Sequence, residues 1–510
     1  MVKRAIRVVV VGGGVGGLVS AIELARQGMH VVVLERAARV GGKMRQVHVG
    51  GREIDAGPTV MTMRWVFDEI WDAAGASLDA DLTLRRAHLL ARHAWGSHQR
   101  LDLFADVDAS AAAIADFAGK AEADGYRRFC AYAKDIYDAV REPFLRSQRP
   151  SLTSAMAAFG VLGLQGVMKI DGHRLLWNAL TDFFKDPRLL QLFGRYATYC
   201  GSSPYLAPAS LNVVAHVERD GVYLVEGGMY EVAKALVRLA ERLGVTVRCG
   251  EHVHEIATSG GRVSGVKLGS GEMVHADVVV CNGDPAAMVE GFFGSHVKRS
   301  VSVSSPRSLS AMTWTFVAQP EGTYPLVRHN VFFSRDYAKE FRELFDQRVL
   351  PAEPTVYVCA QDRDDMGNAP SGPERFLVLV NAPSTGDRHR PLTSEIQQCE
   401  TAAFSLMDRA GLVFPRFTVP PIVTTPIEFE KMFPATGGAL YGPASHGMTS
   451  PFHRATSRTK IPGLYLAGGA AHPGAGVPMA ALSGRLCAKA VHEDLASTNR
   501  LRETVMRGGI

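Results

Sequence analysis

The first strong pattern in the chain is a run of apolar residues, Val8 to Val11, that ends in a cluster of glycines. An amphipathic segment follows the glycines and stops near Gly28. A second apolar run, Val31 to Leu34, ends on Glu35. Short apolar runs bounded by glycine are typical of buried strands, and the segment between them has helical periodicity. The pattern therefore predicts strand, tight turn, helix and strand, as in a doubly wound α/β sheet.

The glycines of this turn have the spacing of a dinucleotide-binding fingerprint. Gly12 permits the turn, Gly14 leaves the backbone open to a pyrophosphate, and Gly17 lets the helix pack close to the strand. The helix start also offers free N–H groups and a partial positive charge to phosphates. Glu35, roughly 20 residues further on, is positioned to accept hydrogen bonds from a ribose hydroxyl. The alternative is a glycine-rich turn of some other α/β protein, and the flanking strands and Glu35 argue against it.

Beyond this unit the hydrophobic pattern changes twice. Helical periodicity dominates from about 65 to 206. Between 211 and 290 a helix and several short strands follow, and the apolar run Val278 to Val280 predicts that the chain returns to complete the first sheet. From about 286 to 427 we predict further strands and one helix, at 394–410. The chain is thus expected to leave the dinucleotide-binding sheet and come back to it.

One long apolar segment needs a separate explanation. Residues 151–168 carry no charged side chain, and their number is close to that of a membrane span. Three glycines, Gln165 and three Ser or Thr residues argue against a span. Two interpretations stay open: the segment is buried core, or it or a neighbouring helix dips into one face of a bilayer.

Composition narrows the classes of function. The chain has 510 residues, 46% hydrophobic and 21% charged, which is ordinary for a folded protein with more than one core. A net charge of +5 without a run of basic residues does not indicate nucleic acid, and it does not oppose contact with an anionic membrane. The seven cysteines are scattered singly, which predicts structural thiols in a reducing compartment and no zinc site. The first residues lack the apolar region of a signal peptide, so we expect a cytoplasmic protein.

Another glycine-rich motif lies near the C-terminus. A strand at 463–466 runs into Gly469, and the loop from His472 to Pro478 leads into a helix from about Met479. Such a helix start can point backbone N–H groups at the pyrimidine ring of a flavin, where negative charge gathers on reduction. Proline in the first helical turn fits this geometry.

Three motifs together resemble the bacterial carotenoid desaturases, a branch of the flavin amine oxidase and phytoene desaturase superfamily. They are Gly-Gly-Lys-Met at 41–44, Asp-Ala-Gly-Pro-Thr at 55–59 and His-Pro-Gly-Ala-Gly-Val-Pro at 472–478. The similarity extends over nearly the whole chain. Within that family, residues 62–67 stand where phytoene desaturases tend to carry a Thr-Asp-Pro type sequence. The pieces 186–188, 195–199 and 203–205 resemble the 1-hydroxycarotenoid 3,4-desaturases (methoxyneurosporene dehydrogenases).

The resemblance implies an α/β fold, in which an α+β substrate domain is interposed in a Rossmann-like FAD-binding domain. The expected FAD-binding domain comprises 1–75, 211–290 and 428–510, and the substrate domain comprises 76–210 and 291–427, with a helical part that is a candidate for membrane contact. The implied cofactor is FAD, with no metal, and the backbone of Val253 is expected to meet the adenine. The implied FAD-binding residues are Gly12, Gly14, Val15, Gly16, Gly17, Glu35, Arg36, Gly42, Lys43, Met44, Thr59, Val60, Val253, Gly469, Val477, Pro478 and Met479.

The activity that this resemblance implies is removal of two hydrogens across the C3–C4 bond of an acyclic 1-hydroxycarotenoid. An insoluble substrate of this length requires an apolar tunnel with one end toward a membrane. We therefore expect a cytoplasmic protein that is peripherally associated with the inner or photosynthetic membrane. The tertiary hydroxyl would need a polar partner, because an unpaired buried hydroxyl costs about 1–3 kcal/mol. The terminal electron acceptor stays open.

No catalytic base can be named from the sequence, and oxidation by a flavin at an activated allylic position does not require one. His472, next to the expected flavin loop, is a candidate for either catalysis or bracing of that loop. Other polar residues that could reach a substrate, each with a purely structural role as the alternative, are His93, His173, Arg195, Tyr199 and Tyr205.

Four alternative functions share the fold. A phytoene desaturase or a carotenoid isomerase would use the same motifs. An amine oxidase often places an aromatic pair and a lysine around the flavin, and no convincing set of this kind is visible. A lipid-escort protein without a cofactor would not need the complete glycine fingerprint and the C-terminal loop.

Overall fold

A parallel sheet of five strands forms the first layer of the fold. The computed structural model describes residues 5–148, 168–303, 306–415, 417, 419–448 and 450–507. Strands of this kind are covered on both faces, which explains their nearly unbroken valine sequences. In sheet order the strands are Leu464–Leu466, Val278–Cys281, Arg7–Val11, His30–Glu35 and Thr246–Cys249.

Helices cover one face of this sheet, and a small antiparallel sheet covers the other. The covering helices are Val15–Ala25, Arg64–Ala73, Tyr230–Arg242 and Val477–Arg507. The strands of the small sheet are Val253–Ser259, Arg262–Leu268 and Met273–His275. This arrangement is the Rossmann-like α/β fold expected for an FAD domain.

The two ends of the chain meet in a close helix pair. The C-terminal helix packs on Val15–Ala25, where a Cβ added to Gly484 would lie 2.6 Å from the carbonyl oxygen of Gly16. Ser20 Oγ donates to that same carbonyl at 2.7 Å and lies 3.3 Å from the carbonyl oxygen of Gly484. Small residues on both helices therefore permit the contact.

A second sheet of seven strands carries the rest of the core. Its strands pair antiparallel, except that His329–Phe332 and Leu89–Trp95 run parallel. In sheet order they are Ile422–Thr424, Ser310–Ala318, Glu374–Ala382, Val356–Ala360, His329–Phe332, Leu89–Trp95 and Gln99–Phe104.

The two faces of the seven-stranded sheet have different surroundings. Even-numbered side chains such as Trp314, Phe316 and Val378 are buried in a core that includes the helix Thr393–Arg409. Successive side chains of a strand point to opposite faces, so the odd-numbered ones point the other way. We call this odd-numbered side the open face, and its residues that line a cavity include Thr313, His329, Val331, Thr355, Tyr357, Leu377, Leu379 and Asn381.

Helices dominate the segment between 65 and 206, as predicted, but strands interrupt it. Leu84–Arg86, Leu89–Trp95 and Gln99–Phe104 are extended, and the last two belong to the seven-stranded sheet. Their local pattern does not alternate cleanly, because Leu89 and Leu90 are both buried. Pairing with the distant strand His329–Phe332 stabilises them as strands, and that partner is not visible locally.

The remaining elements are short or belong to the helical part. The helices there are Leu78–Asp81, Val107–Ala118, Lys120–Val140, Arg141–Leu145 (a π-helix), Leu176–Leu180, Pro187–Gly194, Arg195–Cys200, Ala209–Asn212 and Val213–Asp220. Elsewhere there are short helices at Pro285–Glu290, Ser295–Val297, Tyr337–Arg342, Glu343–Gln347, Pro426–Met432 and Ser450–Phe452. The short strands are Gln46–Val49, Arg52–Asp55, Tyr223–Val225, Glu321–Gly322 and Leu412–Val413.

The strands of the two large sheets fall within the segments assigned above to two domains, although the exact boundaries stay a prediction. The apolar segment 151–168 lies outside the described residues, apart from Met168, so neither interpretation of it is decided. Within the described ranges, no helix combines the length and the apolar character needed to cross a bilayer.

Candidate functional site

A cavity of about 780 Å³ lies where the five-stranded sheet meets the open face of the seven-stranded sheet. The glycine turn after Arg7–Val11 and the start of the helix Val477–Arg507 both border it, as does Tyr357 on the open face. In open α/β sheets, ligands bind beyond the carboxyl ends of the parallel strands. The cavity is therefore where such a fold is expected to bind a ligand.

Glycines form a cradle on one wall of this cavity. A Cβ added to Gly14 would lie 2.7 Å from Asn282 Nδ2, and one added to Gly42 would lie 3.3 Å from the Cα of Gly14. The N–H of Gly41 donates to the carbonyl oxygen of Gly13 at 2.8 Å, which holds the glycine doublet against the fingerprint turn. A cradle without side chains at the start of a helix fits a pyrophosphate.

Glu35 is held at the edge of the cradle by backbone hydrogen bonds. Its Oε2 accepts from the N–H of Gly13 and its Oε1 from the N–H of Ala37, both at 2.7 Å. Carboxylate oxygens can accept further bonds, so the cavity side of Glu35 is suited to a ribose hydroxyl. Arg36 also borders the cavity, but its guanidinium donates to the carbonyl oxygen of Met432 at 2.7 Å and so holds that segment in place.

Lys43 brings a cation to the same wall. Its Nζ donates to the carbonyl oxygen of Leu440 at 2.6 Å and lies 5.2 Å from the ring centre of Phe433. Within the part of the chain that the structure describes, no carboxylate forms an ion pair with it. Removal from bulk water lowers the pKa of Lys43 to about 8. A bound pyrophosphate would offset that cost, so the cation fits the proposed ligand.

The predicted FAD-binding residues all border this cavity, apart from Gly17. A Cβ on Gly17 would lie 2.2 Å from the carbonyl oxygen of Gly12, so this glycine permits close packing of helix and strand. Val253 and Gly469 lie on the same cavity, and the C-terminal helix begins at Val477, two residues before its predicted start. The individual contacts of these residues with FAD stay a prediction.

His472 does not border the cavity, and it braces the loop that does. Its Nε2 lies 2.8 Å from the carbonyl oxygen of Ser147 and 3.1 Å from that of Phe144. Because both partners only accept, Nε2 carries the proton. Burial lowers the pKa of His472 to about 4, so the ring is neutral at pH 7. These contacts tie the C-terminal loop to the π-helix Arg141–Leu145 and the turn after it.

Two sets of polar residues interrupt the apolar lining of the cavity. In the first, Arg195 Nη1 donates to Tyr199 Oη at 3.0 Å, and Tyr199 Oη donates to Glu218 Oε1 at 3.1 Å. We call these three residues the Arg195 cluster, and all of them border the cavity. Loss of bulk water raises the pKa of Glu218. Within the cluster Tyr199 Oη both accepts and donates, and Glu218 also accepts from Tyr196 Oη, which lies outside the cluster.

The second set is a linear chain, which we call the Thr59–Tyr357–His329 chain. Thr59 Oγ1 and Tyr357 Oη lie 2.7 Å apart, and Tyr357 Oη lies 2.8 Å from His329 Nδ1. His329 is 3% exposed, and its Nε2 is buried without a hydrogen-bond partner. Burial lowers the pKa of His329 to about 3, so the imidazole is neutral.

The polar candidates from the sequence divide into two groups. Arg195 and Tyr199 reach the cavity, whereas His93, His173 and Tyr205 do not. His93 is buried with its Nδ1 3.3 Å from the carbonyl oxygen of Leu101, His173 lies 3.5 Å from Asp171, and Tyr205 packs on Trp177.

Sequence analysis did not identify Glu218, His329 or Tyr357. In the strands His329–Phe332 and Val356–Ala360, His329 and Tyr357 each carry a polar atom while their same-face neighbours Val331 and Cys359 are apolar, and this was the available signal. In the described residues there is no group of three or more His, Cys, Asp and Glu side chains that could hold a metal ion.

Comparisons with known proteins agree with this geometry. The family described as flavin containing amine oxidoreductase matches residues 15–492. The chain is 52% identical to hydroxyneurosporene desaturase of Rubrivivax gelatinosus, over 99% of this chain and 97% of the relative. It is 28% identical to 1-hydroxycarotenoid 3,4-desaturase of Flavobacterium sp. strain P99-3, over 94% of this chain and 98% of the relative. Wild-type putrescine oxidase bound to putrescine has the same fold, with a TM-score of 0.61 at 16% identity, over 96% of this chain and 99% of that structure. The chain therefore belongs to the flavin containing amine oxidoreductases and, among them, to the bacterial carotenoid desaturases, as an FAD-dependent oxidoreductase that acts on CH–CH bonds.

Proposed function

We propose that the protein desaturates the C3–C4 bond of an acyclic 1-hydroxycarotenoid. The observation that carries this proposal is one continuous cavity that joins the glycine cradle to the open face of the seven-stranded sheet. The cradle suits a dinucleotide, and the open face suits a long apolar molecule. The names of the two desaturase relatives support the choice of substrate.

The cofactor side of the site consists of preformed backbone. The glycine cradle would hold the pyrophosphate of FAD, Glu35 would accept from its ribose, and the start of the helix at Val477 would direct N–H groups to its pyrimidine ring. When bound, FAD supplies the two-electron acceptor for the hydride that leaves the substrate. These contacts need little rearrangement, because Glu35 and Lys43 already have fixed positions through backbone hydrogen bonds.

The substrate side contributes mainly placement. Val331, Leu377 and Leu379 give the open face an apolar surface that a flat polyene can cover, and water is excluded where it does so. A strong proton acceptor is absent from the Thr59–Tyr357–His329 chain, because the low pKa of His329 makes its ring a weak base. The protein's part in the reaction is therefore to hold one C–C bond at the cofactor.

The direct test is a single-turnover reaction without oxygen. FAD-loaded protein is mixed with detergent-dispersed 1-hydroxyneurosporene, and flavin bleaching is followed together with product mass and absorption. We expect one flavin reduced for each double bond formed, a product lighter by two hydrogens, and absorption shifted to longer wavelength. Desaturation of phytoene alone would favour a phytoene desaturase, and a product of unchanged mass would favour an isomerase.

We also propose peripheral membrane contact at the rim of the cavity. Met448 and Phe452 border the cavity while their side chains are 59% and 40% exposed. Large apolar side chains beside a cavity opening suit insertion into the edge of a bilayer that contains the substrate. The net charge of +5 is compatible with an anionic surface.

Flotation with phosphatidylglycerol vesicles tests this second proposal. The double substitution Met448→Gln and Phe452→Gln should move most of the protein out of the vesicle fraction, because it removes the apolar rim. Met366→Gln is the matched control, since Met366 is 66% exposed and does not border the cavity. Equal flotation of the rim variant and the control variant would place membrane contact elsewhere.

A further inference from the structure

We propose that Nε2 of His329 binds the tertiary C1 hydroxyl of the substrate and thereby selects hydroxylated carotenoids. This inference rests on the proposed 3,4-desaturation. The hydroxyl carbon, C1, is three C–C bonds from C4, so the two atoms are at most about 4 Å apart. A group that binds this hydroxyl must therefore lie beside the reacting end of the cofactor and not at the far end of the tunnel.

The Thr59–Tyr357–His329 chain satisfies this positional requirement. Thr59 belongs to the Asp-Ala-Gly-Pro-Thr motif on the cofactor wall, and it is bonded directly to Tyr357 on the open face. Tyr357 is in turn bonded to His329 on the neighbouring strand. The Thr59–Tyr357–His329 chain thus connects the cofactor wall to the substrate wall through two hydrogen bonds.

His329 also has an unused polar atom. Its Nδ1 is engaged by Tyr357, whereas its Nε2 is buried, unpartnered and part of a cavity-lining side chain. A polar atom buried without a partner costs free energy, and a substrate hydroxyl would remove that cost. An apolar substrate end would leave the nitrogen unpaired, so the same atom penalises carotenoids without the hydroxyl.

The direction of the hydrogen bonds along the Thr59–Tyr357–His329 chain can adapt to the ligand. The hydroxyls of Thr59 and Tyr357 can each donate or accept, so the neutral His329 ring can present Nε2 either as an N–H donor or as an acceptor. A tertiary alcohol can match both states. A methyl ether only accepts, and it can match only the state in which Nε2 carries the proton.

The other polar groups of the cavity fit this role less well. Tyr199 Oη accepts from Arg195 Nη1 and donates to Glu218, so a substrate hydroxyl at Tyr199 or Glu218 would compete with existing contacts. Thr313 Oγ1 is also buried without a partner and borders the cavity. In the register of the sheet, Thr313 and Tyr357 both pair with Leu379, which puts Thr313 two strands from Tyr357, about 9–10 Å away. Thr313 therefore serves as the control.

The test uses two substitutions of His329 by amide residues. Each amide replaces only one of the two imidazole nitrogens. In His329→Asn the amide can reach the position of Nδ1 and keep the bond to Tyr357, but it lacks an atom at the position of Nε2. In His329→Gln an amide atom reaches the position of Nε2. Each variant is assayed with 1-hydroxyneurosporene and with 1,2-dihydroneurosporene, which has the same C3–C4 bond and no hydroxyl. The readout is the ratio of kcat/KM for the two substrates, with flavin content as a control.

We expect wild-type protein to prefer the hydroxylated substrate and His329→Asn to lower this preference about 10- to 100-fold, with little change on the substrate without the hydroxyl. His329→Gln should retain most of the preference, and Thr313→Val should leave it unchanged. An equal loss on both substrates, or a loss of preference in Thr313→Val, would overturn the assignment. A wild-type protein that desaturates neither substrate at C3–C4 would instead refute the proposed function, and the inference with it.

Discussion

At the scale of single residues, the site depends on ionisable groups that are kept from bulk water. Lys43 and His329 show two different consequences of this loss of contact with water. Loss of water lowers the pKa of both, so the lysine loses part of its charge near neutral pH and the histidine loses all of it. A bound anion can restore the charge of Lys43, whereas the neutral ring of His329 is suited to an uncharged partner.

The lowered pKa of Lys43 predicts how FAD affinity depends on pH. A pyrophosphate favours the protonated amine, so binding above a pKa of about 8 requires uptake of a proton. We expect the affinity of the flavin-free protein for FAD to fall about 10-fold between roughly pH 7 and pH 9. This affinity is measured by titration of the flavin-free protein with FAD, followed by flavin fluorescence.

Lys43→Met should bind FAD more weakly at neutral pH and should lose this dependence on pH. Lys234→Met is the control, because that lysine is exposed and pairs with Glu231 on the surface. If Lys43→Met retained the same dependence, another group would be responsible for it.

At the scale of elements, the cofactor wall depends on the contact between the first and last helices. Glycine inside a helix normally costs stability, and replacement by alanine gains about 0.5–1 kcal/mol. At Gly484 the opposite is expected, because a Cβ there would lie 2.6 Å from the carbonyl oxygen of Gly16. The helices would have to move apart, and the helix start at Val477 would move with them.

Gly484→Ala should therefore lower the free energy of unfolding by about 1–3 kcal/mol and reduce flavin content. Gly269→Ala is the control, since its added Cβ would meet His252 at an ordinary 3.6 Å. Chemical denaturation followed by circular dichroism measures the first effect, and flavin absorption per protein measures the second. A stabilised Gly484→Ala protein would show that the helices have room to adjust.

At the scale of the whole molecule, the seven-stranded sheet separates a filled core from the cavity. Neighbouring positions on one strand therefore face different surroundings. The same substitution made at each of two adjacent positions can distinguish them. Leu379→Phe places bulk in the cavity, whereas Val378→Phe places it in a filled core. We expect Leu379→Phe to keep its stability and flavin while kcat/KM for the carotenoid falls at least about 10-fold.

For Val378→Phe we expect the opposite result, a loss of stability. Val378 is fully buried, so the added ring should cost about 1–3 kcal/mol of unfolding free energy. Thermal unfolding and steady-state kinetics on both proteins give the comparison. Equal loss of stability in the two variants would contradict the assignment of the faces.

The cofactor side could be predicted from the sequence because its chemistry is local. Gly14 and Gly42 belong to short motifs in which spacing alone specifies a backbone that approaches a phosphate. The substrate side could not, because the positions of Thr59, Tyr357 and His329 depend on pairing between distant strands. Thr59 and Tyr357 are 298 residues apart in the chain, and no local pattern indicates that their hydroxyls meet.

The strand Arg7–Val11 has a consequence for how the protein is made. Arg7 bonds to Asp277, which is 270 residues further along the chain, so on the ribosome this strand has no neighbour on that side until the strand Val278–Cys281 has emerged. The strand Leu464–Leu466 and the helix Val477–Arg507, whose start borders the cavity, are translated later still. A nascent chain therefore exposes a valine-rich edge until residues 278–281 have emerged, and it cannot enclose its flavin before the helix that begins at Val477 has been made.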